Sequence, residues 1–297
     1  MAAISRRDFA ALTAAALLCA RAHGETAGGP LARPIPSTGE RLPAVGLGTA
    51  RVFDRDGESA QRAASDVVRA LIEANGRLID TASTYGNAET VLGNVIAAGD
   101  LREKLFIATK VESPNRAELD RSLRRLKTAK LDLLQLHNVR NPRQSLAQFR
   151  AWKDQGLCRY IGITSTFHGD YAAVASVLER ERPDFVQIGY SIEDREPEKR
   201  ILPLAAAVKA AVLTAEPLGR GGLFRAVRGK SIPDWASSFA TTWAQFFLKY
   251  LLSDERVTAV IPATSSAPHM AENLTATRGP LPDPEQRRRM VAFMQTL

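Results

Sequence analysis

Leu131-Asp132-Leu133-Leu134-Gln135-Leu136-His137, an amphipathic stretch over 146–153, and then Tyr160-Ile161-Gly162-Ile163 read as a buried strand, a helix and a second buried strand. A near-continuous apolar run suits a strand covered on both faces, and a helix between two such runs is the crossover that parallel pairing needs. The unit repeats in both directions. Toward the amino end lie Val45-Gly46-Leu47-Gly48, Leu78-Ile79-Asp80 and Leu105-Phe106-Ile107-Ala108. Toward the carboxyl end lie Phe185-Val186-Gln187-Ile188, Ala211-Val212-Leu213 and Ala259-Val260-Ile261. Helical patterns fill the gaps, over 60–74, 88–98, 117–126 with its Leu119, Leu123 and Leu126 stripe, 171–181, 202–209 and 239–252. Eight strand-then-helix units in about 230 residues predict a closed parallel (β/α)8 barrel, the TIM barrel, with the helices outside. An open doubly wound sheet would want a glycine-rich dinucleotide turn after its first strand. Gly46-Leu47-Gly48-Thr49 lacks the third glycine and the helix that should follow at once.

The remaining sequence features set the class of protein. With 297 residues, 45% apolar and 24% charged, the chain has the composition of a folded soluble protein, not of a disordered or multispanning one. Its formal charge of +8 is spread through most segments, which argues against a nucleic-acid partner. Two cysteines, Cys19 and Cys158, and four histidines are too few for a disulfide framework or a zinc cluster, so no metal is expected.

The opening Met1-Ala2-Ala3-Ile4-Ser5-Arg6-Arg7-Asp8-Phe9 sets paired arginines before an apolar stretch over 9–20, followed by the small-x-small site Ala20-Arg21-Ala22. This order is that of a twin-arginine signal peptide over 1–22, which predicts export to the periplasm through the twin-arginine machinery, with cleavage near Ala22. The stretch is too short for a comfortable membrane span, so none is expected after cleavage. Residues 23–42 are polar and turn-rich and read as a tether with a small hairpin near Ser37-Thr38-Gly39-Glu40; the barrel is expected over 43–297. The lone remaining thiol, Cys158, is read as a packing residue.

Enzymes on this barrel place their chemistry at the carboxyl ends of the strands. Here the second strand ends at Asp80 and runs on to Tyr85, the third ends Ala108-Thr109-Lys110, and the fourth ends Gln135-Leu136-His137. Four different titratable residues at consecutive exits make a proton-transfer site. A phenol is a poor acid at neutral pH, but a neighbouring ammonium stabilises the phenolate, and a carboxylate holds that ammonium in place. A histidine beside the phenol can orient a substrate carbonyl. No side chain carries a hydride, so a nicotinamide cofactor would have to supply one.

From Leu42 to about Arg278 the sequence resembles the aldo/keto reductase superfamily. Asp80-Thr81-Ala82-Ser83-Thr84-Tyr85-Gly86-Asn87-Ala88-Glu89 matches the family's Asp-Thr-Ala-x-x-Tyr-Gly-x-x-Glu signature, and Ala108-Thr109-Lys110 and the segment 123–137 match two further motifs. The resemblance implies a catalytic tetrad of Asp80, Tyr85, Lys110 and His137, reducing an aldehyde or ketone with NADP, or NAD, as cofactor. It further implies that Thr164 and Ser165, from Ile161-Gly162-Ile163-Thr164-Ser165, and Gln187 hold the carboxamide, and that Tyr190 stacks beneath the nicotinamide. Pro217, Leu218, Gly219 and Gly221 match the pyrophosphate loop, where backbone N–H groups would cradle phosphate.

The last motif, Ile261-Pro262-Ala263-Thr264-Ser265-Ser266-Ala267-Pro268-His269-Met270-Ala271-Glu272-Asn273, departs from the family pattern. Many members use a Lys and an Arg there for the 2′-phosphate of NADP, where this chain has Ala263 and His269. Thr264, Ser265 and His269 would bind that phosphate by hydrogen bonds instead. Glu272 and Asn273 match the adenine-contacting pair. The substrate pocket is expected to include Ala50, Arg51, Phe53, Asn138, Arg140 and Phe224, with Ala50 standing where many relatives have a bulky aromatic. Because the family includes channel-associated subunits, a regulatory or interaction module on the same barrel is the alternative, against which the intact tetrad weighs. A metal-dependent barrel isomerase would need carboxylate and histidine clusters that this sequence lacks.

Overall fold

The computed structural model describes residues 29–297; the expected signal peptide and the start of the tether lie outside the described residues. All eight expected barrel strands form. They are β3 (Leu47–Gly48), β4 (Leu78–Asp80), β5 (Phe106–Val111), β6 (Leu131–His137), β7 (Cys158–Ser165), β8 (Phe185–Gly189), β9 (Ala211–Ala215) and β10 (Ala259–Val260). Each pairs in parallel with its neighbour in sequence. The ring closes where Val45 bridges Val260 and Gly48 bridges Ala263. Gly46 N donates to Val260 O at 2.8 Å, Gly48 N to Pro262 O at 3.0 Å, and Val260 N to Ala44 O at 2.9 Å. A side chain at position 48 would put its Cβ 2.9 Å from Ile261 O, so closure at this height requires glycine.

β5 and β7 run further than their apolar cores suggest. Lys110 lies within β5, and Thr164 and Ser165 within β7, because the parallel ladder continues through these polar positions. Helices follow the apolar stripes. α1 (Glu58–Glu73) buries Ala64, Val67, Val68 and Leu71, and α2 (Ala88–Gly99) buries Val91, Leu92, Val95 and Ile96. α3 (Arg116–Arg125) starts where the Asn115 side chain accepts from Ala117 N, and it buries Leu119 and Leu123. The helices α4 (Pro142–Asp154), α5 (Tyr171–Glu181), α6 (Ile201–Val208) and the short α7 (Gly222–Ala226) follow. The helix expected over 239–252 begins later, as α8 (Trp243–Leu252), because Thr242 caps it by accepting from Gln245 N; Phe239 and Ala240 are buried in the preceding turn. α9 (Ala267–Thr275) and α10 (Pro284–Met294) complete the chain. No helix among the described residues is long and apolar enough to cross a membrane.

The amino-terminal face of the barrel is plugged. A hairpin of β1 (Ala32–Pro34) and β2 (Arg41–Pro43) turns at Gly39, which has φ 78°. Ile35 and Leu42 are fully buried against Leu78, Phe106, Leu133 and Phe185. Removing two such side chains from water stabilises the plug by about 1.5–3 kcal/mol each. Glu40 pins the hairpin to the barrel through Arg77 at 2.8 Å, Tyr160 at 2.7 Å and Arg159. Burial opposes its charge, but these hydrogen bonds outweigh that and hold the carboxyl below its usual range. With this end closed, the carboxyl ends of the strands are left for chemistry. Cys158 is buried in the core, and burial pushes its thiol up to about 12, which leaves it inert at neutral pH.

Candidate active site

Asp80 closes β4, Lys110 lies in β5 and His137 closes β6, so the ladder sets three of the four side chains on adjacent strands. Tyr85 follows on the β4–α2 loop. Lys110 is almost entirely buried, yet its ammonium donates to Asp80 Oδ2 at 2.6 Å and to Thr81 O at 2.8 Å. Burial disfavours the charge; the Asp80 carboxylate and the Tyr85 phenol more than compensate, so the Lys110 pKa lies above its usual value. The same Nζ sits 4.9 Å from the centroid of the Tyr85 ring. Asp80 is braced by two amides, accepting from Gln135 Nε2 at 3.3 Å and from Gln187 Nε2 at 3.2 Å. A buried charge pair of this kind is held for its geometry, since desolvation cancels much of its attraction.

His137 meets Tyr85 edge-on, with ring centroids 6.1 Å apart and planes at 79°. Its Nδ1 is hydrogen-bonded to the Glu112 carboxylate and lies 3.4 Å from Thr84 Oγ1. Burial and the Lys110 charge push the ring's pKa down, the Glu112 and Asp80 charges push it up, and the balance falls below the usual value. The neutral ring is therefore the resting form at neutral pH. Just beyond it, Asn138, Val139 and Asn141 take positive φ values of 61°, 44° and 44°. For a β-branched residue such as Val139 that conformation is strained, and strain of this kind gathers at functional loops.

These side chains line a cleft of about 700 Å3 at the carboxyl rim. All four of Asp80, Tyr85, Lys110 and His137 reach it. Of the residues expected to hold a cofactor, Thr164 and Gln187 line one part, Pro217, Leu218 and Gly221 another, and Thr264, His269, Glu272 and Asn273 a third. Ala50, Arg51, Asn138 and Phe224 also line it, as expected for a substrate pocket, and so does Ala263.

Six expected positions lie elsewhere, the first being Ser265, which is exposed beside Thr264 and does not line the cleft. Tyr190 is 1% exposed, its hydroxyl donating to Glu198 and accepting from Arg287 Nη2 at 3.3 Å, so in this conformation its ring offers no free face for stacking. Ser165 is 1% exposed; its Oγ donates to Asp170 at 2.7 Å and accepts from Phe167 N at 3.2 Å, which turns it away from the cleft. Phe53 is a core residue. Arg140 is exposed on the strained loop and does not line the cleft, nor does Gly219, although its neighbours Leu218 and Arg220 do.

Three contributors were not anticipated. Gln135 lies two residues before His137 on β6, where side chains two apart share a face, and Glu112 lies just past the end of β5, two residues after Lys110. For Gln135 that alternation was the available signal. Arg220, paired with Glu216 across the turn that holds Pro217, is the third.

Comparisons with known proteins bear on the family and the fold. The aldo/keto reductase family model matches residues 44–290. Methylglyoxal reductase YeaE of Escherichia coli is 30% identical over 246 residues, covering 78% of this chain and 84% of that protein. An aldo-keto reductase of Mycobacterium avium is 29% identical over 248 residues, covering 79% and 80%. An aldo/keto reductase from Klebsiella pneumoniae, solved in complex with NADP and acetate, superposes with a TM-score of 0.74 at 25% identity over 86% of this chain and 93% of that one. The barrel, the four side chains at its rim and the matched span together place this chain in the aldo/keto reductase family.

Proposed function

We propose that this protein reduces the carbonyl group of a small aldehyde or ketone, with Tyr85 as the proton donor and NADPH as the hydride source. Membership of the family makes the chain an NAD(P)-dependent oxidoreductase; the assignment of the steps to residues is the finer proposal. The observation that carries it is the Asp80–Lys110–Tyr85 stack, in which a buried ammonium is held at 2.6 Å by a carboxylate and lies against a phenol that faces the cleft.

The cleft fits a dinucleotide. Its volume is in the range of ligand sites, and it runs from the tetrad to the start of α9. Gln187 lines it with its Oε1 unpartnered, a free acceptor for a carboxamide N–H. Left-handed φ values at Gly219, Arg220 and Gly221 bend the Pro217 loop, as a close backbone approach to phosphate requires. When bound there, the reduced nicotinamide supplies the hydride that no side chain carries.

As the carbonyl carbon gains the hydride, its oxygen gains negative charge. The Tyr85 O–H bond then breaks and the product alcohol's O–H bond forms. Lys110 stabilises the charge left on the phenolic oxygen, and Asp80, braced by Gln135 and Gln187, keeps the ammonium charged and fixed. Low exposure of this group keeps the interaction undiluted by water. A 2-oxoaldehyde such as methylglyoxal, named in the bacterial relative, is the first substrate to try. Loss of NADPH absorbance with methylglyoxal and a panel of aldehydes tests the reading, and no turnover with any of them alongside no NADPH binding would contradict it.

The paired Arg6 and Arg7 carry a further proposal, that the chain is exported to the periplasm with its cofactor already bound, since twin-arginine export moves folded proteins. Arg6→Lys with Arg7→Lys should then leave the uncleaved chain in the cytoplasm. Mature protein outside the inner membrane in that variant would contradict it.

A further inference from the structure

We propose that Glu112 is a positioning residue that fixes the tautomer of His137, so that the neutral ring presents Nε2 to the cleft as a hydrogen-bond acceptor. The proposal deepens the reading above, because it rests on His137 facing the reacting groups.

The Glu112 carboxylate meets His137 at Nδ1. An ionised carboxylate can only accept, so Nδ1 carries the hydrogen; a neutral imidazole has one N–H, which leaves Nε2 with a lone pair. A neutral His137 held in this way cannot donate to a carbonyl oxygen. It accepts instead, from a hydroxyl that enters the cleft, such as that of an alcohol. Only the imidazolium has an Nε2–H to give a carbonyl, and in that form Glu112 neutralises the charge that appears on the ring. One carboxylate thus sets both behaviours. His137 takes a hydroxyl proton's hydrogen bond when neutral and orients a carbonyl when protonated.

The charges that face His137 come from three elements. Lys110 on β5 opposes protonation, Asp80 on β4 and Glu112 just beyond β5 favour it, and the Tyr85 phenol on the β4–α2 loop lies against the ring. Glu112 is itself held in place. Its backbone N donates to Glu118 Oε1 at 2.9 Å, and Ser83 on the Tyr85 loop donates to the same oxygen at 2.8 Å. One carboxylate of α3 therefore registers the Glu112 loop against the Tyr85 loop.

The test is long-range 1H–15N correlation spectroscopy on protein labelled with 15N-histidine, with the His137 signals assigned from a His137→Asn variant. Above its titration midpoint, wild-type His137 should show its hydrogen on Nδ1. Glu112→Gln keeps an acceptor oxygen but loses the charge, so the Nδ1–H form should persist while the midpoint falls by about one pH unit. Glu112→Leu should lose the fixed tautomer as well, and unchanged His168 and His269 signals show that the fold is intact. The alkaline limb of the reduction rate, where the imidazolium is lost, should move down with the midpoint in Glu112→Gln. Hydrogen on Nε2 in the wild type, or an unchanged midpoint and tautomer in Glu112→Leu, overturns the proposal. If Glu112→Leu does not fold, the Glu112→Gln midpoint decides alone. The spectra need neither substrate nor cofactor, so a failure here is distinct from a failure of the carbonyl-reductase reading, which the Tyr85→Phe rate decides.

Discussion

The Ser83 hydroxyl donates to the Glu118 carboxylate at 2.8 Å, which ties the loop that carries Tyr85 to the first turn of α3. Glu118 is buried, and it also accepts from Glu112 N at 2.9 Å and from Ser113 Oγ at 3.3 Å. The Tyr85 loop and the Glu112 loop, from neighbouring strands, are thereby tied to one side chain.

Glu118→Ala should therefore loosen both loops. The donors are half-buried, so each hydrogen bond lost costs about 0.5–1.5 kcal/mol, and turnover should fall more than NADPH affinity, because the cofactor contacts lie on other loops. Urea unfolding and steady-state kinetics read the two effects. Glu118→Gln, whose amide oxygen still accepts, should recover most of the turnover.

Stability should depend on pH through Glu40. Its folded pKa lies below the usual 4.5, so the carboxylate's contribution is complete above about that pH and is lost as pH falls through the lower folded value. The midpoint of thermal unfolding, followed as pH falls from 5 or so toward 3, should drop less steeply in Glu40→Gln than in the wild type. Parallel curves would show that the Arg77 and Arg159 contacts are worth nothing to the fold.

Much of this architecture was legible in the chain, for a physical reason. Strands buried on both faces must be written as apolar runs, and a polar residue that ends such a run at a barrel rim is conspicuous, which is why Asp80, Lys110 and His137 stood out. Tyr190 was misplaced because the direction of its ring is decided by Glu198, eight residues on, and by Arg287, 97 residues on. Glu112 lies just past the end of β5, where no strand periodicity marks it, and its partner His137 arrives 25 residues later on another strand. Partnerships across strands depend on register, and register is a property of the closed barrel.

Cofactor preference is open to engineering. Ala263→Lys with His269→Arg should place two cations at the start of α9, each worth about 1.5–3 kcal/mol to a 2′-phosphate at best and less where salt screens an open rim. The ratio of NADP to NAD affinity, titrated by quenching of tryptophan fluorescence, should rise by about tenfold or more. An unchanged ratio would mean that the two positions do not face the ribose phosphate.

The most direct test of Tyr85 as proton donor is the rate of aldehyde reduction by Tyr85→Phe, measured beside its NADPH affinity. The substitution removes the hydroxyl and little volume, so the rate should fall by about 10²–10⁴-fold while the affinity stays within a small factor of the wild type. A variant that binds NADPH normally and reduces aldehydes at a rate near the wild type's would show that the proton comes from another group.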